Sequence, residues 1–346
     1  MPAAPEAAAA GQIRRRVRRW TLPAAVTAVA AALDGRSGAF ALGDGTVRQV
    51  VFADDAPPEI VEAHQGAVLA LAAAPGGGFV SGGDDGRVVL TAAGAARQIF
   101  HEPRRWISHL AVHAPSRTIM AAAGKAAIGL DPAGIVQGRW EGHPSTVAGL
   151  ALNPAGKRLA VAHYNGVSLW WLASKQQSPT RLTWKGSHVA LSWSPNGKYL
   201  MTAMQENELH GWRVADSAEM RMAGLATKAK SLTWSQDSRW LANSGAEVVT
   251  CWDFSGKGPM GRPPSEICPG DGALVTAVAF HPKVPIVAAG YEDGTVRLGR
   301  PGHVRTTVLE PVGTGPLAAL AWSPSGDQLL AGGDGGGAAL FDFSEA

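Results

Sequence analysis

Val275-Thr276-Ala277-Val278-Ala279, with Asp293-Gly294-Thr295-Val296-Arg297 following, is a near copy of Val26-Thr27-Ala28-Val29-Ala30 with Asp44-Gly45-Thr46-Val47-Arg48. Two distant segments that share an apolar stretch and then an Asp-Gly turn imply an internal repeat. A repeat constrains the fold more tightly than any single motif. Between and beyond the two copies the same grammar returns about every forty residues. One turn is traced by Asn153-Pro154-Ala155-Gly156, Ser194-Pro195-Asn196-Gly197, Ser235-Gln236-Asp237-Ser238 and Ser323-Pro324-Ser325-Gly326, with looser versions at Leu33-Asp34-Gly35-Arg36, Ala74-Pro75-Gly76, Ala114-Pro115-Ser116 and His281-Pro282-Lys283.

A second turn recurs as Gly43-Asp44-Gly45, Asp84-Asp85-Gly86, Tyr164-Asn165-Gly166, Glu292-Asp293-Gly294 and Gly333-Asp334-Gly335. Asp-Gly and Asn-Gly supply the positive φ that tight hairpins require. The flanking stretches are short and apolar, and they lack the i, i+3, i+4 spacing of helices, so they read as strands. A fourth strand is expected between units, at Arg97–Phe100, Ile135–Trp140, Pro179–Trp184, Glu219–Ala223 and Thr306–Leu309. Four antiparallel strands per unit describe an all-β propeller with blades packed around a channel. The turns number eight blades; seven is the alternative, if the divergent Trp106–Asp131 unit is not a blade. The last unit lacks an outer strand, and Gln12–Trp20 precedes the first unit without a blade of its own. The N-terminal segment is therefore expected to complete the last blade, removing an open edge.

These residues resemble the WD-repeat family. Trp252-Asp253 ends a third strand, Phe341-Asp342 echoes it, Gly142-His143 stands ahead of a first strand, and Ser81-Gly82-Gly83-Asp84-Asp85-Gly86 is similar to the body of that repeat. The resemblance spans residues 12–343. It implies a propeller that binds partners rather than one that turns over substrate. It also implies that His64, Ser81 and Asp85, which look like a nucleophilic triad on paper, form a buried structural network. Asp293, Trp170, Trp212 and Trp252 are expected to serve the same framework, and the network's Trp position is Thr91 in the His64 unit.

Composition agrees with one domain at residues 12–346 behind an Ala/Pro-rich tail at residues 1–11. Hydrophobic content is 46% and charged content only 17%, with 43 Gly for the turns. Two cysteines, Cys251 and Cys268, make no disulfide framework and point to a reducing compartment, the cytoplasm. The arginines of Arg14–Arg19 followed by Ala24–Leu33 mimic an export signal, yet Val26–Ala32 is needed as a first strand. No run is apolar and long enough for a membrane helix.

No cofactor, metal or catalytic residue is expected. His109 and His113 share a strand face, but His113 aligns with Trp193, Trp234 and Trp322 at a packing position. The cysteines lack Cys-x-x-Cys spacing, and Gly332–Gly337 lacks the Lys-Ser/Thr of a phosphate loop. Most tryptophans map to the repeat; Trp106, after Arg104-Arg105, does not, and Arg with Trp is the composition of interface hot spots.

A formal charge of +3 does not announce nucleic-acid binding. Arg14–Arg19 is read as a charged edge strand, with an RNA-docking strip as the alternative. The second-turn loops carry Asp44, Asp84, Asp85, Glu206, Glu247, Glu292, Asp293 and Asp334 against Lys125, which predicts an acidic face opposite a basic one. The expected function is a non-catalytic scaffold, a monomer or a subunit of a hetero-complex, that binds a protein or peptide over the channel mouth. Its candidate contacts are His64, Arg105, Trp106, Lys125, His143, Tyr164, His188, Glu206, Lys230 and Tyr291. A propeller enzyme or metal-handling protein using channel-mouth His, Asp and Glu is the competing class.

Overall fold

The computed structural model describes residues 16–174, 178–256 and 258–344. Among the described residues every regular element is a strand, and within each unit successive strands pair antiparallel, so each hairpin turn sets the next register. The first unit consists of Val26–Ala31, Ser37–Leu42, Thr46–Val51 and Glu59–Glu62, hydrogen-bonded in that order. Its Asp-Gly turn works as the sequence implies. Asp44 Oδ1 accepts from the Thr46 amide at 3.0 Å and from the Thr46 hydroxyl at 2.8 Å, while Gly45 takes φ 90°. Asp293 and Thr295 repeat this at 2.9 and 2.7 Å.

Closure is as expected. Arg16–Thr21 pairs antiparallel with Gly337–Asp342, from Arg16 opposite Asp342 to Thr21 opposite Gly337, and completes the last four-stranded sheet. The arginines of this strand are tied to its neighbours. Arg16 pairs with Asp55, Arg18 donates to the carbonyls of Val51 and Phe52 at 3.1 and 2.8 Å, and Arg19 pairs with Glu310 and donates to the Pro311 carbonyl. They clamp the closing strand between the first unit and the unit before the last. Residues 1–11, Gln12, Ile13, Arg14 and Arg15 lie outside the described residues.

The sheet count needs correction. The described strands form seven hydrogen-bonded sheets, six of four strands and one of six, rather than eight separate blades. The divergent unit is not the cause, since Ile107–His113, Thr118–Ala123, Ala126–Leu130 and Val136–Trp140 make a regular sheet. Two neighbouring repeat units instead share one strand, Thr180–Trp193. Its first half pairs with the outer part of Arg158–Trp171, Thr183 facing Gly166. Its second half pairs with Tyr199–Met204, Trp193 facing Leu200. Ser187 still faces Tyr164 in the first ladder and His188 opens the second opposite Met204, and Glu206 holds the Ser187 amide at 3.0 Å. The described strands thus match the alternative of seven blades and not the expected eight.

The core lies between units. Leu22, Val26, Phe40 and Leu42 pack with Leu330 and Leu340 across the closing seam. Trp170, Trp212 and Trp252 are buried, as are Trp193 and Trp234. The indole N–H of Trp193 donates to the Ala151 carbonyl of the preceding unit at 3.3 Å, and that of Trp322 to Ala279 at 3.1 Å. Hydroxyls add further ties. Thr27 Oγ1 donates to the Val68 carbonyl and Thr276 Oγ1 to the Leu317 carbonyl, each at 2.7 Å, so the two copied sequences make the same bridge to the next inner strand.

Candidate functional site

The apparent triad is a brace. His64 sits ahead of an inner strand, Ser81 on the next strand and Asp85 in the following turn. The imidazole meets Ser81 Oγ at 2.9 Å and Asp85 Oδ1 at 3.0 Å, and Asp85 Oδ2 accepts the Gln65 amide at 3.0 Å. Burial alone would raise the Asp85 carboxyl. Hydrogen bonds from His64 and from the Gln65 and Arg87 amides outweigh it and hold the group below the ordinary range. Ser81 is fully buried, so no substrate reaches its hydroxyl. The brace ends at Thr91, whose Oγ1 is buried and has no partner among the described residues. Changing Thr91 to Val removes that orphan at nearly constant volume. It is expected to stabilise the fold by about 1 kcal/mol in urea titration, with no loss of structure.

The same device recurs with other residues. His143 Nε2 accepts the Trp170 indole N–H at 3.0 Å, and its Nδ1 lies 2.7 Å from the Lys125 carbonyl. His188 joins the Thr202 hydroxyl at 2.8 Å and the Trp184 carbonyl at 3.0 Å. Trp252 donates to Asn243 Oδ1 at 2.9 Å. Tyr291 is fully buried, its hydroxyl donating to the Cys268 carbonyl, and Arg297 lies over its ring at 5.0 Å.

His64, His143, His188 and Tyr291 are therefore corrected as contact candidates. His64 and His143 precede strands, Tyr291 ends one and His188 lies within Thr180–Trp193; neighbouring strands cover them and their polar atoms are spent inside the fold. Glu206 is exposed but bound to the Ser187 amide. Lys230 is exposed and stands apart, at a cavity of about 340 Å³ on the channel with Ser231, Thr276, Leu317 and Asp334.

Arg105, Trp106, Lys125 and Tyr164 do come together along one arc of the loop face. Trp106 is 65% exposed and Tyr164 49%. Arg105 and Lys125 line a crevice of about 420 Å³ with Glu102, Arg139, Glu141 and Thr146. Arg139 holds Glu102 by two bonds, 2.9 and 3.0 Å, and Glu141 by a third at 2.5 Å. The hydrogen bond to Arg139 leads in holding the Glu102 carboxyl below its usual range. Lys125 Nζ donates to the Pro144 carbonyl at 3.1 Å. Beyond Pro144, Ser145 Oγ accepts the Tyr164 amide at 2.8 Å, which joins the crevice to a second hollow formed by Tyr164, Asn165, Thr183, Trp184 and Lys185.

The expected acidic face is thus broken. The loops entering the inner strands emerge beside the acidic turns and carry Arg104, Arg105, Lys185, Lys228 and Lys230. Several acids are also occupied: Asp85, Glu206 and Glu292 each accept a backbone amide from the loop ahead of the inner strand. Trp184 and Arg139 escaped sequence reading because they lie on outer-strand segments, where the repeat has no signature.

Among the described residues no three His, Cys, Asp or Glu side chains gather as metal ligands would, and no helix is long and apolar enough to cross a membrane. His113 is satisfied by Ser116 at 2.7 Å and the Pro154 carbonyl at 3.1 Å. Burial drives the Cys268 thiol up to about 11 and that of Cys251 higher still.

The family model for the WD domain, G-beta repeat, matches residues 57–90, which hold the His64 brace, and residues 263–298. Among curated proteins, the chain is 26% identical over 203 residues to Protein tipD of Dictyostelium discoideum, covering 56% of this chain and 31% of that protein. It is 25% identical over 128 residues to the WD repeat-containing protein slp1 of Schizosaccharomyces pombe, covering 35% and 26%. The match thus spans less than a third of either relative. The crystal structure of the computationally designed Ika8 protein superposes with a TM-score of 0.74 at 18% identity, over 93% of this chain and 98% of that one, a likeness of fold alone. With two matched WD repeats, braced turns and a ring closed by its first strand, this chain carries WD repeats on a β-propeller fold.

Proposed function

We propose that this chain is a non-catalytic scaffold that binds a protein or peptide on its loop face. The observation that carries this reading is Trp106, a large aromatic held in solvent beside Arg105 on a rigid frame. Exposed Trp and Arg on a fixed surface make the strongest contacts in protein interfaces. The buried histidines support it from the other side, since their ring nitrogens mostly brace strands and do not face a cavity. Both thiols are free and buried, in keeping with work in a reducing compartment such as the cytoplasm.

Affinity capture from native lysate tests the reading. The intact chain is expected to retain a stoichiometric protein that is lost when Arg105 and Trp106 are both changed to Ala. A Lys283→Ala variant on the opposite face should keep it. Turnover of a small molecule with no retained protein would refute the scaffold.

A further inference from the structure

Resting on that reading, we infer that the arc from Trp106 to Lys185 is a docking groove for an extended acidic segment of the partner that carries an aromatic side chain. Three observations converge on it. The first is charge. Arg104, Arg105, Lys125, Arg139, Arg181 and Lys185 stand along the arc against Glu102, Glu141 and Glu206. Elsewhere the same face is dominated by carboxylates at Asp44, Asp84, Glu247, Glu292, Asp293 and Asp334.

The second observation is how that charge is distributed. Glu102 and Glu141 are held by Arg139, and Glu206 by the Ser187 amide. Arg104, Arg105 and Lys185 are exposed and make no ion pair with any described residue, and Lys125 uses one of its three donors on Pro144. The arc thus offers unpaired donors beside acceptors already in use, so an incoming carboxylate finds partners without displacing an internal bond.

The third observation is shape. Two hollows, of about 420 and 460 Å³, lie along the rim, and the bond from the Tyr164 amide to Ser145 Oγ ties the second to the loop that holds Thr146 of the first. Trp106 flanks one end, and Tyr164 with half-buried Trp184 lines the other. Arg181 steadies the junction by donating to the Gly142 carbonyl at 3.3 Å. A linear array of cations between aromatic surfaces suits an extended chain with acidic residues and a ring to seat. The acids on the rest of the face repel the same chain, so electrostatics also steer it to this arc.

The test uses fluorescein-labelled synthetic peptides on the full chain, read by anisotropy: one Glu/Asp-rich with a single Phe, one with the acids changed to Ser, and one with the Phe changed to Ala. The first should bind saturably, each control at least about tenfold more weakly, with loss on raising salt through the range where screening falls below ~10 Å. Arg105→Glu with Lys125→Glu, and separately Lys185→Glu, should each weaken it by about tenfold or more, a step of about 1.4 kcal/mol in binding. Trp106→Ala should do likewise, and Lys283→Glu on the opposite face should not. Equal binding of the neutral peptide, indifference to the charge reversals, or tighter binding of a single-stranded oligonucleotide would overturn the proposal. The same variants in lysate capture separate the two readings. A partner retained by all three reversals sinks the arc and leaves the scaffold; acidic-peptide binding with no captured partner does the opposite.

Discussion

Replacing Gly332 with Val is expected to lower the unfolding free energy by about 3 kcal/mol, toward the upper end for overpacking a close-fitted interior. Gly332 lies on a second strand facing the next inner strand across the closing seam. A Cβ built there would stand 2.4 Å from Val26 Cγ1, 2.9 Å from Val26 Cβ and 3.1 Å from Val29 Cγ2. Val26 is itself 1% exposed and packs with Phe40 and Leu330, so it has nowhere to retreat. The ring magnifies the effect, because a sheet forced away at one seam must be accommodated at the others. Gly332→Ala should cost less, and adding Val26→Ala should recover part of the loss. Urea titration of the wild type, Gly332→Val, Val26→Ala and the double variant measures the coupling directly. Additive losses with no recovery would show that the seam is not where the strain falls.

Acidification is expected to destabilise the chain between about pH 6.5 and pH 4, with His210 making the largest single contribution. His210 is fully buried, stacked on Trp184 at 4.0 Å with 12° between the rings, and neither ring nitrogen has a partner among the described residues. Burial, reinforced by His188 and Arg221 and opposed by Glu208, holds it down from 6.5 to about 4. Between those values the unfolded chain binds the proton and the folded chain does not. Stability is therefore intact above 6.5 and falls as the pH drops towards 4, by about 2 kcal/mol at pH 5 from this group alone. Burial shifts His109, His143, His163, His188 and His281 in the same direction. His210→Phe keeps a ring on Trp184 and removes the titration. It should leave stability at pH 7.5 equal or higher and flatten the loss between pH 7.5 and 5. An unchanged slope in urea titrations at the two pH values would assign the acid sensitivity elsewhere.

What was legible in the sequence was what local chemistry decides. Asp44 and Asp293 each announce a capped turn because the carboxylate that bonds Thr46 or Thr295 lies two residues away in the same chain. Closure was legible because a unit without an outer strand and a strand without a unit complete each other. The fused sheet was not, because Lys185-Gly186-Ser187 looks like any other connection until its ladder is followed on both sides.

The contact residues divide by the same logic. Trp106 stands out in the sequence because it does not map to the repeat, and it lies exposed with Arg105, Lys125 and Tyr164 on the loop face. His143, His188 and Tyr291 were misplaced because what covers them is a neighbouring strand, and strand neighbours are set by the ring. Thr91 was recognised as a gap in the brace, and that gap leaves a buried hydroxyl without a partner.

The pairing of Arg16–Thr21 with Gly337–Asp342 has a consequence for biogenesis. On a ribosome Arg16–Thr21 emerges before its mate has been synthesised, and it must wait until Gly337–Asp342 has followed some three hundred residues later. During that interval the nascent propeller is an open horseshoe with an unsatisfied lip at each end, a sticky species of the kind that chaperones shield. Deletion of Arg16–Thr21 or of Gly337–Asp342 would make that transient state permanent, so it should harm solubility more than the excised mass suggests.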